Sequence, residues 1–290
     1  MTFTEHAVTF SCAGEQLLGI VAAPELPQAT GVLIVVGGPQ YRVGSHRQFL
    51  LLSRALAEAG YVAMRFDCRG MGDSTSELRD FEAVNEDIES AIEAFRAYCP
   101  QLEHIVLWGL CDAASAILLY WDQTRDARVH GLVLVNPWVR SETTLARTHI
   151  KHYYGQRLLQ AEFWRKLLTG KLGLGRAIEG FLNSLIHAHQ KSHYGGRDET
   201  LPFQKKMARA LETFYGEVLL LLSGNDYTAK EFIQAVQADR IWSAAIEKSN
   251  TTRVDILDAD HTFSSAEWRG QVESITRRWL ETKINQPNTS

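Results

Sequence analysis

The residue best suited to covalent chemistry is Cys111, in the segment LWGLCDAASA at 107–116. This cysteine follows an apolar run and stands between two small residues, Gly109 and Ala113. A nucleophile on a sharp strand-to-helix turn needs small neighbours there, although the second is usually glycine. The amide groups at the start of the following helix would favour a thiolate. We therefore predict a nucleophile; the alternative is a buried cysteine that only fills space.

A cysteine nucleophile needs a base, and the base needs an acid that orients it. Among ten histidines, His261 is preferred because it follows the last predicted strand. Asp226 ends the segment VLLLLSGND, so both side chains would lie in loops at strand ends. Asp258 is a distant second choice for the acid, and Asp260 adjoins His261 too closely to reach its ring. The predicted catalytic residues are Cys111, His261 and Asp226.

Acyl transfer also needs hydrogen-bond donors for the developing oxyanion, each worth roughly 3 kcal/mol. The backbone N–H of Asp112 is the first predicted donor. The second normally comes from the loop after the strand that ends near Gly38, but Pro39 follows and has no N–H. Gln40, through its backbone or its side chain, is the predicted substitute. The carboxylate of Asp112 is expected to face away from the sulfur, since a second negative charge would oppose the thiolate.

These residues must be positioned by an alternation of strands and helices along the chain. Several predicted strands are nearly continuous runs of Val, Ile and Leu, which is typical of a mainly parallel sheet covered by helices on both faces. In such sheets, reactive groups collect at the carboxyl ends of the strands. The predicted strands are 17–23, 31–38, 61–67, 104–110, 130–138, 217–226 and 252–260, and the predicted helices are 46–60, 82–99, 112–123 and 266–283.

The region 140–215 breaks this alternation and is predicted to be a helical cap inserted between core segments 1–139 and 216–290. Its segment 147–197 contains nine lysines and arginines but only two glutamates. One hypothesis is a lid that receives an acyl chain and attracts an anionic carrier or the surface of a membrane. The alternative is an amphipathic lid whose charges face water. His187, His189 and His193 form a loose cluster, but no acid or cysteine nearby completes a metal site.

Composition narrows the remaining classes of function. The net charge of −4 gives no reason to expect nucleic acid as a partner. The four cysteines form no CxxC pair, which argues against a zinc site or a disulfide framework and favours a reducing cytoplasm. We predict no signal peptide, no transmembrane segment, no metal and no cofactor. No feature of the sequence indicates an oligomeric state.

Four segments together resemble an α/β-hydrolase: GLCDA, FDCRGMGDS at 66–74, SGND at 223–226 and DADHTF at 258–263. The resemblance extends over nearly the whole chain outside the cap. It implies the α/β-hydrolase fold and a structural role for Asp67, Arg69, Gly70 and Gly72 in a loop beside the site. More narrowly, GVLIVVGGPQYRVGSHRQF with LWGLCDAASA resembles the cysteine-bearing hydrolases of bacterial exosortase A systems. That family implies a setting among exopolysaccharide and protein-sorting genes, and it supplies no substrate.

The leading functional hypothesis is an ester or thioester hydrolase that forms an acyl-enzyme on Cys111 with a small-molecule acyl substrate. An acyltransferase would share the first half-reaction and pass the acyl group to a thiol, amine or alcohol. A third possibility is a binding protein that keeps the fold without catalysis.

Overall fold

A computed structural model describes residues 2–140 and 201–285 of the chain. An eight-stranded sheet runs through the described residues, in the order β1-β2-β4-β3-β5-β6-β7-β8. The strands are β1 Phe3–Cys12, β2 Glu15–Pro24, β3 Thr30–Val35, β4 Val62–Phe66, β5 His104–Leu110, β6 Val129–Val135, β7 Glu217–Ser223 and β8 Thr251–Ile256. Strand β2 is antiparallel to both of its neighbours, β1 and β4, whereas strands β3 to β8 pair in parallel. The mainly parallel sheet predicted from the sequence is thereby confirmed.

Helices cover both faces of this sheet. They are α1 Gln48–Glu58, α2 Asn85–Tyr98, α3 Asp112–Thr124, α4 Phe203–Thr213, α5 Tyr227–Ala238, α6 Arg240–Ile246 and α7 Ala266–Trp279. Two hydrophobic cores result, one between the sheet and helices α2 to α6, the other between the sheet and helices α1 and α7. None of the helices in the described part of the chain is long and apolar enough to cross a membrane.

Strand β1 and helices α5 and α6 were not predicted. Strand β1 pairs with β2 over its whole length, from Phe3 opposite Pro24 to Cys12 opposite Glu15. It is an edge strand, and most of its side chains are exposed or half-buried, so the sequence FTEHAVTFSC lacks the continuous apolar run of the inner strands. Helices α5 and α6 each begin after an aspartate whose side chain accepts hydrogen bonds from the first turn, at Asp226 and Asp239.

The contacts divide the chain into two compact units, Met1–Val139 with Pro202–Ser290, and Arg140–Leu201. Helix α4, which the sequence analysis includes in the cap, belongs to the first unit. It packs on α3 and buries an apolar face made of Met207, Ala208, Ala210 and Leu211. Residues 141–200 of the predicted cap, which include His187, His189 and His193, lie outside the described residues.

Candidate active site

Cys111 occupies the turn between the end of β5 and the start of α3. Its backbone has φ 63° and ψ −123°, a conformation that residues with a side chain rarely adopt. Its N–H donates to the carbonyl of Val135 at 2.9 Å, which ties the turn to the end of β6. A Cβ on Gly109 would lie 2.8 Å from the backbone carbon of Ala113, so only glycine allows α3 to approach β5 this closely. The sulfur is thus held on a strained turn, and Cys111 is half-buried.

Asp226 and His261 are brought together at the neighbouring strand ends. Nδ1 of His261 lies 2.9 Å from Oδ2 of Asp226. The same carboxylate caps α5, because it accepts hydrogen bonds from the amides of Thr228 and Ala229, each at 3.1 Å. Asp226 is buried and rigidly held, whereas Asp258 is exposed to solvent.

The three predicted catalytic side chains are electrostatically coupled. Hydrogen bonds to Asp226 and then to Cys111 raise the pKa of His261 to about 10. Burial acts to raise the pKa of Asp226, but the hydrogen bonds from His261 and from the amides of α5 outweigh it and hold that pKa below its ordinary value. Because Nδ1 of His261 is bonded to Asp226, Nε2 is the ring nitrogen left to interact with Cys111. An imidazole between a carboxylate and a sulfur is placed to exchange a proton with that sulfur.

Asn136 holds the loop that carries His261, and sequence reasoning assigned it no role. Its Oδ1 accepts from the N–H of Ser223 at 2.8 Å, and its Nδ2 donates to Oγ of Ser223 at 2.9 Å and to the carbonyl of His261 at 3.3 Å. Oγ of Ser223 in turn donates to the carbonyl of Asp260 at 3.0 Å. Asn136 is fully buried with φ 45°. The sequence signal was its place near the carboxyl end of the predicted strand 130–138.

Asp260 shapes the same loop and does not compete for the histidine ring. Its carboxylate accepts hydrogen bonds from the amides of Thr262 at 3.2 Å and Ser264 at 3.0 Å, and from the hydroxyl of Ser264. These bonds lower its pKa although burial opposes them.

The carboxylate of Asp112 binds the loop after β3. Oδ2 accepts from the N–H of Gly38 at 2.8 Å, and Oδ1 accepts from the N–H of Ala113 at 3.0 Å. A Cβ on Gly37 would overlap this carboxylate, so the close approach requires glycine. Burial raises the pKa of Asp112, although the backbone hydrogen bonds oppose the shift. The side chain of Asp112 therefore joins the turn at Cys111 to the loop that contains Gln40.

Gln40 keeps only part of its capacity to donate. Its backbone N–H donates to the carbonyl of Gly38 at 2.8 Å. Its side-chain Nε2 donates one hydrogen to the carbonyl of Gly37 at 2.7 Å, and its Oε1 accepts from the N–H of Ser45 at 3.3 Å. The sequence predicted that Gln40 would donate to the oxyanion through its backbone or its side chain. The backbone N–H is already bonded to Gly38, so the second hydrogen of Nε2 is the donor that remains.

The segment FDCRGMGDS at 66–74 is hydrogen-bonded to the loop that contains Gln40. Asp67 is fully buried and accepts from the N–H of Arg42 at 2.6 Å, from the guanidinium of Arg42 and from the N–H of Asp73 at 3.0 Å. Arg69 donates to Asp87 through Nε at 3.0 Å and Nη2 at 2.8 Å, which raises the pKa of the guanidinium well above its ordinary value. Both pairs anchor the loops beside the site to the core.

An open pocket of about 460 Å3 lies over these residues. Its lining includes all the predicted site residues except Asp226, which stands behind His261. The lining residues are Gly38, Gln40, Asp80, Phe81, Leu110, Cys111, Asp112, Trp138, His261 and Thr262. Within residues 2–140 and 201–285, no group of three or more His, Cys, Asp or Glu side chains is arranged to hold a metal ion. All four cysteines are free thiols.

Known protein families and solved structures share the fold described above. The sequence model of the alpha/beta hydrolase family matches residues 32–271. No curated protein sequence matches the chain.

Solved structures share the fold at low sequence identity. The esterase Pf2001 of Pyrococcus furiosus has a TM-score of 0.65 at 14% identity, over 98% of this chain and 94% of its own. An acylaminoacyl peptidase of Pyrococcus horikoshii has a TM-score of 0.65 at 16% identity, over 100% of this chain and 43% of its own. An alpha-beta serine hydrolase homologue from Coxiella burnetii has a TM-score of 0.60 at 16% identity, over 97% of this chain and 99% of its own.

Proposed function

Because the chain belongs to the alpha/beta hydrolase family, we propose that it is a cysteine-dependent acyl hydrolase, which cleaves esters or thioesters through an acyl-enzyme on Cys111. The observation that carries the proposal is the contact of one imidazole, His261, with both the carboxylate of Asp226 and the sulfur of Cys111. A sulfur that only filled space would need neither a strained turn nor a protonated partner in an open pocket.

The first half-reaction forms a thioester. Sγ of Cys111 attacks the acyl carbonyl while its proton is held on Nε2 of His261. The carbonyl oxygen becomes an oxyanion, stabilised by the backbone N–H of Asp112 and the remaining Nε2 hydrogen of Gln40. When the tetrahedral intermediate collapses, the bond from carbon to the leaving group breaks. The leaving oxygen or sulfur takes the proton from His261, and Asp226 keeps the imidazole in the required orientation.

The second half-reaction releases the acyl group. A water gives one proton to Nε2 of His261 as its oxygen attacks the thioester carbon. The carbon–sulfur bond then breaks, and Cys111 and His261 share one proton as before. The free acid leaves the pocket, and no redox step or cofactor is required.

The decisive experiment is acylation by an activated ester, followed by intact-mass spectrometry. The wild-type protein should gain one acyl group, and Cys111→Ala should gain none. Cys99→Ala is the matched control, because Cys99 is buried and burial raises its pKa to about 11. That variant should acylate like the wild type. Undiminished acylation of Cys111→Ala would refute the assignment, and so would a wild-type protein that no activated ester acylates.

An acyltransferase is the second candidate, and it is favoured by the openness of the pocket to a second substrate and by the good leaving ability of a thiolate. Adding thiol or amine acceptors to the acyl-enzyme separates the two reactions. Product should partition to the acceptor in a transferase and to the free acid in a hydrolase. A binding protein without catalysis predicts neither product.

Two features of the proposal concern the setting of the enzyme. The resemblance of LWGLCDAASA and GVLIVVGGPQYRVGSHRQF to exosortase-associated hydrolases supports a link to exopolysaccharide and protein-sorting genes. The nine basic residues of 147–197 support a cap that attracts an anionic carrier or membrane surface, in a cytoplasmic enzyme.

A further inference from the structure

A second, smaller cavity of about 130 Å3 adjoins the pocket of Cys111. It lies between the end of β3, the first turns of α3 and the segment 78–84. Most of its wall is apolar, and the apolar side chains that line it are Val35, Val36, Met71, Leu78, Phe81, Val84, Ala113 and Ala116. The proposed mechanism leaves this space empty. We refer to it as the side pocket.

The side pocket and the pocket of Cys111 share a wall. Gly38, Asp80, Phe81 and Asp112 line both of them. These four residues lie between the two spaces, and we call them the neck; Ala113 and Ala116 continue the wall of the side pocket along α3. An acyl group on Sγ of Cys111, one residue before Asp112, is therefore placed at the mouth of the neck.

The dimensions of the side pocket limit what can enter. A cavity of about 150 Å3 lined by hydrocarbon accommodates benzene, so the side pocket holds a chain of roughly four or five carbons. Each methylene group that leaves water for such a lining contributes about 0.8 kcal/mol, which is about a fourfold gain in binding.

The neck carries negative charge. The carboxylates of Asp80 and Asp112 are close enough that Asp80 contributes to the raised pKa of Asp112. Both oxygens of Asp112 already accept backbone hydrogen bonds. Arg79 also lines the side pocket, but it is exposed, as is Leu78 on the outer rim. A carboxylate on the acyl chain would have to pass two like charges before it reached Arg79.

We propose that the side pocket is the acyl-chain site of the enzyme and that it selects short, uncharged acyl groups. The inference rests on the proposed acyl-enzyme at Cys111 and names the class of substrate for that site. The carbonyl carbon bonds to the sulfur, and the alkyl chain passes between Asp112 and Phe81 towards Val84 and Ala116.

The test compares acetyl, butyryl, hexanoyl, octanoyl and succinyl esters that share one leaving group. We expect kcat/KM to rise about fourfold per methylene from acetyl to butyryl and to level or fall beyond hexanoyl. Succinyl, which has the length of butyryl but ends in a carboxylate, should react at least tenfold more slowly than butyryl.

Variants that enlarge or fill the side pocket test whether the acyl chain binds there. Val84→Ala enlarges the side pocket and should move the optimum to a longer chain, whereas Ala116→Val fills it and should move the optimum to a shorter one. Leu78→Ala changes the exposed rim with little risk to folding, and it should weaken the preference for butyryl over acetyl. Ala55→Val is the matched control, because Ala55 lies on α1 outside both pockets. It should keep the wild-type profile.

The outcomes separate this proposal from the one it rests on. If the wild type acylates but its chain-length profile is unchanged in Val84→Ala, Ala116→Val and Leu78→Ala, the side pocket is not the acyl site. A succinyl ester that reacts as fast as the butyryl ester overturns the charge selection. If no ester acylates Cys111 at all, the proposed function has failed.

Discussion

Asp112 links two parts of the site through one side chain. Its carboxylate joins Gly38 in the loop after β3 to Ala113 in the first turn of α3, and its own backbone N–H is the predicted first oxyanion donor. The residue next to a nucleophile is usually considered only for its amide group. Here its side chain also fixes the loop on which Gln40 stands, so the placement of both donors depends on it.

We expect Asp112→Ala to lower the rate of ester acylation by roughly tenfold or more, because the Gln40 loop loses its anchor and oxyanion stabilisation depends on position. Alkylation by iodoacetamide needs no oxyanion site, so its rate should stay within about threefold of the wild-type rate. Asp112→Asn is the matched control: it keeps one acceptor for Gly38 and should be intermediate in acylation.

Acylation of Asp112→Ala at the wild-type rate would contradict this role. A parallel loss of acylation and alkylation would instead indicate a distorted turn at Cys111.

At the residue scale, local patterns in the sequence were enough to select the candidate site residues. Small neighbours identify Cys111, and a place after a strand identifies Asp226 and His261, which the structure brings within 2.9 Å of each other. The bond from the N–H of Gly38 to the carboxylate of Asp112 could not be predicted, because it joins two segments 74 residues apart in the sequence. The same limit hid Asn136, whose partners Ser223 and His261 lie 87 and 125 residues away.

Among the elements, the ends of β6 and β7 are joined to the histidine loop by a single amide side chain. Asn136 pairs with both the backbone and the hydroxyl of Ser223, and it also donates to the carbonyl of His261. The ends of two parallel strands thus fix the position of the loop that carries His261, the proposed base. It is a positioning role, since Asn136 is buried and does not line the pocket of Cys111.

We expect Asn136→Ala to reduce the free energy of unfolding by about 1–3 kcal/mol, because the buried N–H of Ser223 loses its acceptor. Acylation should also slow, since the His261 loop loses a hydrogen bond. Denaturant titration measures the first effect, and the ester assay measures the second.

Asn136→Gly separates the hydrogen bonds from backbone strain, because glycine tolerates the φ of 45° without cost. If Asn136→Gly is as stable and as active as the wild type, the amide side chain has no positioning role. Comparable losses in both variants would support it.

The inner strands were predictable because they are fully buried apolar runs, and the helices beside them because their apolar residues share one face. Strand ends were less predictable. The run predicted to extend to Asp226 pairs only to Ser223, because Gly224 turns the chain away beside the carbonyl of Leu257. Strand β1 could not be predicted without its partner. Its sequence mixes polar and apolar residues, and it forms a strand because β2 pairs with all ten residues of the segment.

For the whole molecule, the coupled pair of His261 and Asp226 links folding to pH. The pKa of His261 is raised from 6.5 to about 10, so the folded state binds that proton more tightly than the unfolded chain. The resulting stabilisation is fully present below pH 6.5 and is lost as the pH rises through about 10. Asp226 acts in the opposite sense: its lowered pKa stabilises the fold above pH 3.8, and this contribution is lost in acid.

We expect the difference in unfolding free energy between the wild type and His261→Gln to be larger at pH 7 than at pH 10, because glutamine cannot carry the extra proton. Denaturant titrations of both proteins at the two pH values measure it. Cys111→Ala removes the second partner of the imidazole, so it should lower the pKa of His261 and narrow the same pH window.

A difference that is constant from pH 7 to pH 10 would contradict the raised pKa. Direct titration of the ring by NMR provides an independent measurement.

Three of the four thiols, those of Cys12, Cys68 and Cys99, are sealed in the interior, and burial raises the pKa of each. Only Cys111 opens onto solvent. A mild oxidant such as peroxide therefore reaches one sulfur rather than four. We therefore expect oxidation of one thiol per chain to accompany the loss of activity. A small-molecule reductant should reverse the first oxidation product, the sulfenic acid.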